Sequence, residues 1–227
     1  MNDMQRMLKG IEMEVSLTRN AIGRNALDAR VMAAMKQVPR HEFIPREFQN
    51  RAYDNGPVAI GSGQTISQPY IVALMSDLLN TKPTDRILEI GTGSGYQAAV
   101  LSCLVKQVYS VEIIETLAVN ARSRLRKLGY ENINLRNYDG YYGWSEHAPY
   151  DGIIVTAASL YIPKPWVEQL KVGARLVIPV GLPYHSQELM VVEKKPGGEI
   201  ETQSILGVSF VPLTGKHSID STEKPPA

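Results

Sequence analysis

The sequence has one cysteine, no excess charge of either sign and no long hydrophobic run, and each shortage excludes a class of protein. The single cysteine, Cys103, cannot build a disulfide framework or a cysteine-based metal cage, and its apolar helical surroundings predict a buried, inert thiol. The chain carries 24 basic and 23 acidic residues, so no global positive field exists to hold a nucleic acid backbone. No window approaches the roughly 18 apolar residues of a membrane-spanning helix, and the charged N-terminus lacks the apolar stretch of a signal peptide. These features favour a cytoplasmic protein with no membrane or nucleic-acid partner.

The first 50 residues are predicted to be helical. Met7 and Ile11 share one helical face with their apolar neighbours, and a second helix over residues 26–38 is stopped by Pro39. The next segment, residues 51–68, contains glycines and a proline that forbid a long regular element. We therefore expect a loop there, with a backbone that can approach a ligand closely.

From residue 69 onward, short apolar strands alternate with helices. Strands are predicted at 86–90, 108–111, 132–135, 151–155, 174–180, 189–193 and 205–211, and helices at 69–79, 95–105, 116–128 and 166–170. Such alternation with short connections predicts an α/β fold, a seven-stranded, mostly parallel sheet with helices on both faces. The order of the last two strands is left open, and the polar residues 216–227 are expected to be a disordered tail.

The strongest local signal is a strand that runs into a glycine loop and then into a helix. Gly91, Gly93 and Gly95 permit a tight turn and close approach of the backbone to a ligand. Their G-x-G-x-G spacing differs from the G-x-G-x-x-G of dinucleotide sites. Glu89, two residues before Gly91, suits a cationic ligand end better than a pyrophosphate, because a carboxylate repels phosphate by about 1 kcal/mol or more at short range.

Two further acids follow the next strands of the predicted sheet. Glu112, at a strand tip 17 residues after Gly95, can accept hydrogen bonds from two ribose hydroxyls, although an exposed acid at a strand end is the alternative. Asp139 and Gly140 could contact adenine or form a simple Asp-Gly turn, and spacing alone does not separate the two. Together with Glu89 and the glycine loop, these residues describe a nucleoside bound across the strand ends.

This combination resembles the class I S-adenosylmethionine methyltransferases, and further segments narrow the resemblance. Similarity to the protein-L-isoaspartate O-methyltransferases is carried by IGSGQTISQPY at 60–70, ILEIGTGSGYQAAVL at 87–101, DGIIVTAA at 151–158, LVIPVG at 176–181 and FVPLTG at 210–215. The likeness runs from about residue 26 to residue 215, and the segment 65–69 is its most specific motif. It implies a Rossmann-like class I fold in a single methyltransferase domain over residues 1–215, with a helical cap at 1–50, an active-site loop at 51–68 and a core at 69–215.

The resemblance also implies an activity and a set of site residues. It implies a repair enzyme that transfers a methyl group from S-adenosyl-L-methionine, leaving S-adenosyl-L-homocysteine, to the α-carboxylate of L-isoaspartyl residues in damaged proteins and peptides. Ser67 is similar to the family's active-site serine, although a helix N-cap is the alternative. The cofactor-binding candidates are Ile60, Gly61, Ser62, Gly63, Glu89, Gly91, Thr92, Gly93, Gly95, Glu112, Asp139, Gly140 and Thr214. The substrate-binding candidates are Thr65, Ile66, Thr156, Ala157 and Ala158. No metal is expected, because a carboxylate with a pKa of about 4 is already ionised and needs no base.

Three other functions compete with this one. A methyltransferase for nucleic acids or small molecules could share the fold, but residues 156–159 read Thr-Ala-Ala-Ser, where an adenine amino-methyltransferase carries Asn/Asp-Pro-Pro-aromatic. A cytosine C5 enzyme needs a Pro-Cys nucleophile, whereas Cys103 follows a serine. The glycine spacing disfavours an NAD-dependent oxidoreductase, and a non-enzymatic S-adenosylmethionine sensor remains open. The chain is expected to act as a monomer.

Overall fold

The computed structural model describes residues 2–183 and 185–215, and its first elements are the predicted helices. Helix α1 spans Asp3–Ile22 and helix α2 spans Ala29–Gln37, followed by 3-10 turns at Arg40–Phe43 and Arg46–Arg51. A capping box formed by Asn2 and Gln5 starts α1. The left-handed Gly23 (φ 67°) ends it, a backbone conformation that glycine adopts without strain.

The loop predicted at residues 51–68 is wrong in part, because the segment contains a β-hairpin. Strand β1, Val58–Gly61, pairs antiparallel with strand β2, Gln64–Ile66. The paired side chains of Val58 and Ile66 are both buried and anchor the hairpin. Strands of three and four residues beside glycines leave too few alternating positions for a sequence pattern to show.

The predicted alternation of strands and helices from residue 69 to residue 193 is confirmed, with ends shifted by a few residues. The elements are α3 Pro69–Leu78, β3 Arg86–Ile90, α4 Tyr96–Ser102, β4 Gln107–Glu112, α5 Glu115–Lys127, β5 Ile133–Asn137, β6 Tyr150–Val155, α6 Lys164–Gln169, β7 Leu170–Gly181, β8 Gln187–Lys194 and β9 Ile200–Val208. The last strand begins five residues before the predicted 205–211 and ends three before it. Its first five residues are exposed, as an edge strand allows, and the four after Ile200 are polar, so no alternating apolar pattern marks its start.

The seven-stranded sheet has the order β5-β4-β3-β6-β7-β8-β9. The first five strands are parallel, and β8 and β9 add antiparallel pairings, so the sheet is mostly parallel as predicted. The order of the last two strands, which the sequence left open, therefore follows the chain. Gly198 lies in the turn between them and donates its N–H to the Lys195 carbonyl at 2.9 Å.

Apolar side chains cover both faces of the sheet. Ile87 packs in a cluster with residues of α1, α2, α3 and α4, whereas the adjacent Leu88 packs in a second cluster with Trp166 of α6. Neighbouring residues of a strand point to opposite faces, so helices lie on both sides of the sheet as predicted. The core thus leaves the carboxyl ends of the parallel strands free to form a site.

The sequence also carried predictions for Cys103, for membrane-spanning helices and for the C-terminal tail. Cys103 is half-buried rather than buried, and burial raises the pKa of its thiol, which keeps it protonated and unreactive. No helix in residues 2–183 and 185–215 is long and apolar enough to cross a membrane. The tail expected at residues 216–227 lies outside the described residues.

Candidate active site

A cavity opens at the carboxyl ends of β3, β4 and β6, where ligands bind in open α/β sheets. It is enclosed by the glycine loop, the residues that follow β4, the end of the hairpin and the segment after β9. Its lining comprises Gln64, Thr65, Ile66, Ser67, Val72, Ile90, Gly91, Thr92, Gly93, Ser94, Tyr96, Gln97, Val111, Glu112, Ile113, Ile114, Gly140, Thr156, Ala157, Val211, Pro212, Leu213 and Thr214. Most candidates from the sequence are therefore brought together in one place.

The glycine loop is tied to the tip of β6 at a point where only glycine fits. Gly91 has φ 94°, and a Cβ added to it would lie 2.6 Å from the Thr156 hydroxyl oxygen. That hydroxyl donates to the Gly91 carbonyl at 2.5 Å, and the Gly91 N–H donates to the Val111 carbonyl at 2.8 Å. A residue predicted to bind cofactor and one predicted to bind substrate are thus in direct contact.

Glu112 lies in the cavity with both carboxylate oxygens already engaged. Oε2 accepts the Gly93 N–H at 2.8 Å, and Oε1 accepts the Ile114 N–H at 2.9 Å. The side chain is buried, so these bonds fix its direction. A carboxylate has about four lone-pair sites, which leaves about two for a ligand's hydroxyl groups.

Glu89 is placed differently from the sequence expectation. It is fully buried and does not line the cavity. Ser110 donates a hydrogen bond to Glu89 Oε2, and the Ser110 hydroxyl also lies 2.6 Å from that of Thr92. Burial raises the pKa of Glu89 to about 8, and the nearby charge of Glu112 acts in the same direction. Glu89 is therefore a protonated acid at neutral pH that contacts the glycine loop through Ser110 and Thr92. Its position outside the cavity lining gives no support to the expected contact with a cationic ligand end.

Ser67 lies at the mouth of the cavity, and its alternative as a helix N-cap is wrong. Helix α3 begins at Pro69, and its cap position is held by Gln68, with no side-chain capping bond. The Ser67 carbonyl accepts a hydrogen bond from Arg40 Nη2 at 2.7 Å. Among the described residues no partner holds the Ser67 hydroxyl, which is therefore available to a ligand.

A second cavity adjoins the first and shares Thr65, Ser67, Thr156 and Val211 with it. Its remaining lining residues are Pro57, Gln68, Ile71, Ser186, Gly207, Val208, Ser209 and Phe210. The two cavities thus meet at three hydroxyl-bearing residues, Thr65, Ser67 and Thr156. Such a junction can hold two molecules with their reacting atoms close together.

The segment after β9 crosses the strand tips and closes the far side of the cavity. The Leu213 N–H donates to the Ala158 carbonyl, and the Ala158 N–H donates to the Val211 carbonyl, both at 2.8 Å. These bonds place Thr214 in the lining. Asp139 caps its own 3-10 turn by accepting the Tyr141 N–H at 3.0 Å, so the turn alternative for this residue is confirmed. Its possible contact with adenine stays a prediction.

Several candidates do not line the cavity, and several lining residues were missed. Outside the lining are Ile60, Gly61, Ser62, Gly63, Glu89, Gly95, Asp139 and Ala158. The missed residues include Tyr96, Gln97, Ile113 and Ile114. Ile113 and Ile114 directly follow Glu112, and this adjacency was the available signal. Within the described residues, no group of three or more His, Cys, Asp or Glu side chains could hold a metal ion.

The parallel sheet, the glycine loop and the cavity at the strand tips define the class I S-adenosylmethionine methyltransferase fold. A family model described as "Protein-L-isoaspartate(D-aspartate) O-methyltransferase (PCMT)" matches residues 15–218. The chain belongs to the protein-L-isoaspartate(D-aspartate) O-methyltransferase family.

Named relatives and solved structures agree with this assignment. The chain is 60% identical over 219 residues to protein-L-isoaspartate O-methyltransferase 2 of Nitrosococcus oceani, covering 96% of this chain and all of the relative. It is 57% identical to the enzyme of the same name from a Polaromonas species, covering 92% of this chain and all of that one. A solved protein-L-isoaspartate O-methyltransferase superposes with a TM-score of 0.80 at 27% identity, over 93% of this chain and 66% of that one. A putative Plasmodium falciparum enzyme in complex with S-adenosyl-L-homocysteine gives 0.73 at 25% identity, over 91% and 97%.

Proposed function

We propose that this chain is a protein-repair methyltransferase that transfers a methyl group from S-adenosyl-L-methionine to the α-carboxylate of L-isoaspartyl residues in damaged proteins and peptides. The observation that carries the proposal is the junction of two cavities at Ser67 and Thr156. One cavity has the glycine loop and Glu112 of a nucleoside site, and the other lies beside the family's most specific motif. Family membership and the names of the relatives support the same activity.

The first cavity fits S-adenosyl-L-methionine better than a dinucleotide. The described residues of its lining include no Lys, Arg or His, and Glu112 is the one acid among them. The Glu112 carboxylate would repel a pyrophosphate placed in this cavity, whereas ribose hydroxyls could donate to its free lone pairs. The glycine loop would hold the amino-acid end, and Asp139 with Gly140 would lie beside adenine. Thr214 would close the site from the segment after β9.

The chemistry asks little of the protein beyond positioning. The bound cofactor supplies an electrophilic methyl group on a sulfonium ion. The acceptor carboxylate is ionised at neutral pH, so no side chain has to remove a proton. The Ser67 hydroxyl donates a hydrogen bond to one acceptor oxygen and aims the other at the methyl group, while Thr65 and Thr156 flank the peptide. The protein would accelerate methyl transfer by holding the acceptor oxygen and the methyl group in line at about 3 Å and by excluding water.

The test is methyl transfer from labelled S-adenosyl-L-methionine to two peptides that differ only in isoaspartate or aspartate at one position. Base-labile label on the isoaspartyl peptide alone is the expected result. Label on neither peptide, with the cofactor still bound, would overturn the acceptor assignment. Label on both would overturn the specificity.

Ser67→Ala tests the role of the hydroxyl. Turnover should fall about 10- to 100-fold, because a hydrogen bond to a charged group contributes about 1.5–3 kcal/mol. Affinity for S-adenosyl-L-homocysteine should stay within about twofold, because the hydroxyl caps no helix. Ser209→Ala is the matched control, since Ser209 lines the second cavity away from the junction. Equal losses of cofactor affinity and turnover in Ser67→Ala would point to a structural role.

The organisation of the molecule belongs to the same proposal. We infer one methyltransferase domain over residues 1–215, supported by a continuous apolar cluster that joins α1, α3 and β3. A cytoplasmic location, a monomeric state and the absence of a nucleic-acid substrate are proposed with it. The nearly balanced charge supports the last point, as does the lack of basic residues in the described parts of both cavity linings.

A further inference from the structure

Arg40 is a fully buried cation outside both cavities. Its side chain lies in the 3-10 turn that follows α2 and has no measurable exposure. No carboxylate within ion-pair distance neutralises it among the described residues. Arginine is almost never fully buried unless it is paired, because removing its charge from water is costly. Burial accordingly lowers the pKa of Arg40.

The guanidinium group is bonded to neutral groups only. Nε donates to the Ala52 carbonyl at 2.9 Å, and Nη2 donates to the Ser67 carbonyl at 2.7 Å. The guanidinium carbon stands 4.8 Å from the ring centroid of Tyr96, which lines the first cavity. Nη1 has no partner among the described residues. Arg40 therefore joins the chain before the hairpin, the residue at the cavity junction and the start of α4.

The acceptor is an anion, yet the described side chains of the two cavity linings offer it no cation besides the sulfonium of the bound cofactor. Among residues 2–183 and 185–215, no Lys, Arg or His lines either cavity, and Glu112 adds a negative charge to the first one. Positive potential that reaches the carboxylate from behind the lining would add to the attraction of the cofactor's sulfonium, and it would act alone when S-adenosyl-L-homocysteine, which has no sulfonium, is bound. Arg40 is bonded to Ser67, a residue that both cavities share, and its charge is not cancelled by an ion pair. Low surrounding polarity extends the reach of such a charge.

We propose that Arg40 is a positioning residue for methyl transfer. Its hydrogen bond to the Ser67 carbonyl fixes residues 64–68, and its unneutralised charge favours binding of a carboxylate acceptor. The inference rests on the proposed function for the identity of the acceptor. It goes beyond that function because Arg40 touches neither cavity and acts through Ser67. A neutral donor could satisfy the same two carbonyls, so the charge is the feature to be explained.

Two peptides and one variant separate the effect of the Arg40 charge from that of its hydrogen bond to the Ser67 carbonyl. Acceptor binding is measured with S-adenosyl-L-homocysteine bound, so that no transfer occurs. One peptide carries isoaspartate, and the other carries a carboxamide in place of its α-carboxylate. Arg40→Met should lower the affinity for the carboxylate peptide about tenfold and that for the carboxamide peptide much less, because only the former interacts with the charge. Affinity for S-adenosyl-L-homocysteine should change less than about threefold, and hydrogen exchange should rise in residues 64–68.

The matched control is Arg30→Met. Arg30 also donates to two backbone carbonyls, of Thr81 and Leu104, but has no link to Ser67. The Arg30→Met variant should be less stable than the unaltered protein but should keep the same ratio of affinities for the carboxylate and carboxamide peptides. If Arg40→Met does not fold, Arg40→Lys and Arg40→Gln carry the comparison, since both keep a donor and only lysine keeps the charge. The lysine variant should then prefer the carboxylate peptide more than the glutamine variant does.

Three results would overturn the inference. Equal losses for the carboxylate and carboxamide peptides would remove the electrostatic part. Unchanged exchange in residues 64–68 would remove the positioning part. Parallel losses of acceptor and cofactor affinity, with lysine no better than glutamine, would leave Arg40 a purely structural residue. Failure of the unaltered protein to methylate the isoaspartyl peptide would instead overturn the proposed function, while the exchange comparison would still decide whether Arg40 fixes residues 64–68.

Discussion

At the scale of single residues, the two acids beside the glycine loop occupy opposite environments. Glu89 is fully buried and is bonded to a hydroxyl, whereas Glu112 faces the cavity and accepts two backbone N–H groups. Backbone N–H donors stabilise a carboxylate, whereas burial stabilises the protonated acid. One acid is therefore suited to bind a ligand, and the other to hold the loop.

Glu89 should make the stability of the protein fall as the pH rises. Its folded pKa of about 8 lies above the usual value of about 4.3, so the native state holds a proton that the unfolded state releases between these values. Glu89→Gln cannot release this proton, and its amide oxygen can still accept from Ser110. Between pH 5 and 8, the free energy of unfolding of the variant should therefore rise relative to that of the unaltered protein by up to about 1.4 kcal/mol per pH unit.

Urea unfolding at pH 5, 6.5 and 8 measures this difference. Glu12→Gln is the control, because Glu12 is exposed on α1. Stability differences for Glu89→Gln that stay constant across the three pH values would show that Glu89 is ionised in the folded protein throughout.

Glu112 should be needed chiefly for cofactor affinity. Glu112→Gln keeps the size and one acceptor oxygen but loses the charge, so binding of S-adenosyl-L-homocysteine should weaken about tenfold. Glu112→Ala should lose more, because it also frees the Gly93 and Ile114 N–H groups. Isothermal titration calorimetry measures both, with Glu115→Gln as a control on the exposed first residue of α5. An unchanged affinity in Glu112→Gln would contradict the ribose assignment.

At the scale of elements, the sequence predicted those whose burial gives a clear pattern. Strand β6 is an apolar run because both of its faces are covered, and the glycine loop is marked by residue type alone. The hairpin and the polar half of β9 give no such pattern and were missed. The buried position of Arg40 could not be predicted either, because a charged residue in a sequence is normally read as exposed. Its contacts arise from tertiary packing between segments that are 12 and 27 residues apart.

The hairpin turn offers a prediction at this scale. Gly63 has φ 70°, and a Cβ built there meets no atom within 4 Å, so Gly63→Ala introduces backbone strain without a clash. The cost should be about 1 kcal/mol, and it falls on the hairpin, which carries Thr65 and leads directly into Ser67. We expect a higher KM for the isoaspartyl peptide with unchanged cofactor affinity. Gly56→Ala is the control, since it is equally open but lacks a positive φ. A KM unchanged by Gly63→Ala would mean that the hairpin does not order the acceptor side.

At the scale of the whole molecule, the helical cap and the sheet share one apolar cluster. Met7 of α1, Met35 of α2 and Val177 of β7 belong to it, and all three are buried. Both tryptophans lie on the opposite face of the sheet, where Trp166 is buried in the second cluster and Trp144 packs against it. A cap that shares its core with the sheet is expected to fold and unfold together with it.

Unfolding should therefore be a single transition when two probes are compared. Far-ultraviolet circular dichroism reports on the helices, including the cap, and tryptophan fluorescence reports on the opposite face of the sheet. Their urea midpoints should coincide, and S-adenosyl-L-homocysteine at 100 times its Kd should raise the free energy of unfolding by about 2.7 kcal/mol in both. NAD at the same concentration is the control and should raise neither, because the G-x-G-x-G spacing of residues 91–95 differs from the G-x-G-x-x-G of dinucleotide sites. A dichroism transition that precedes the fluorescence transition would show that the cap unfolds separately and would contradict a single domain over residues 1–215.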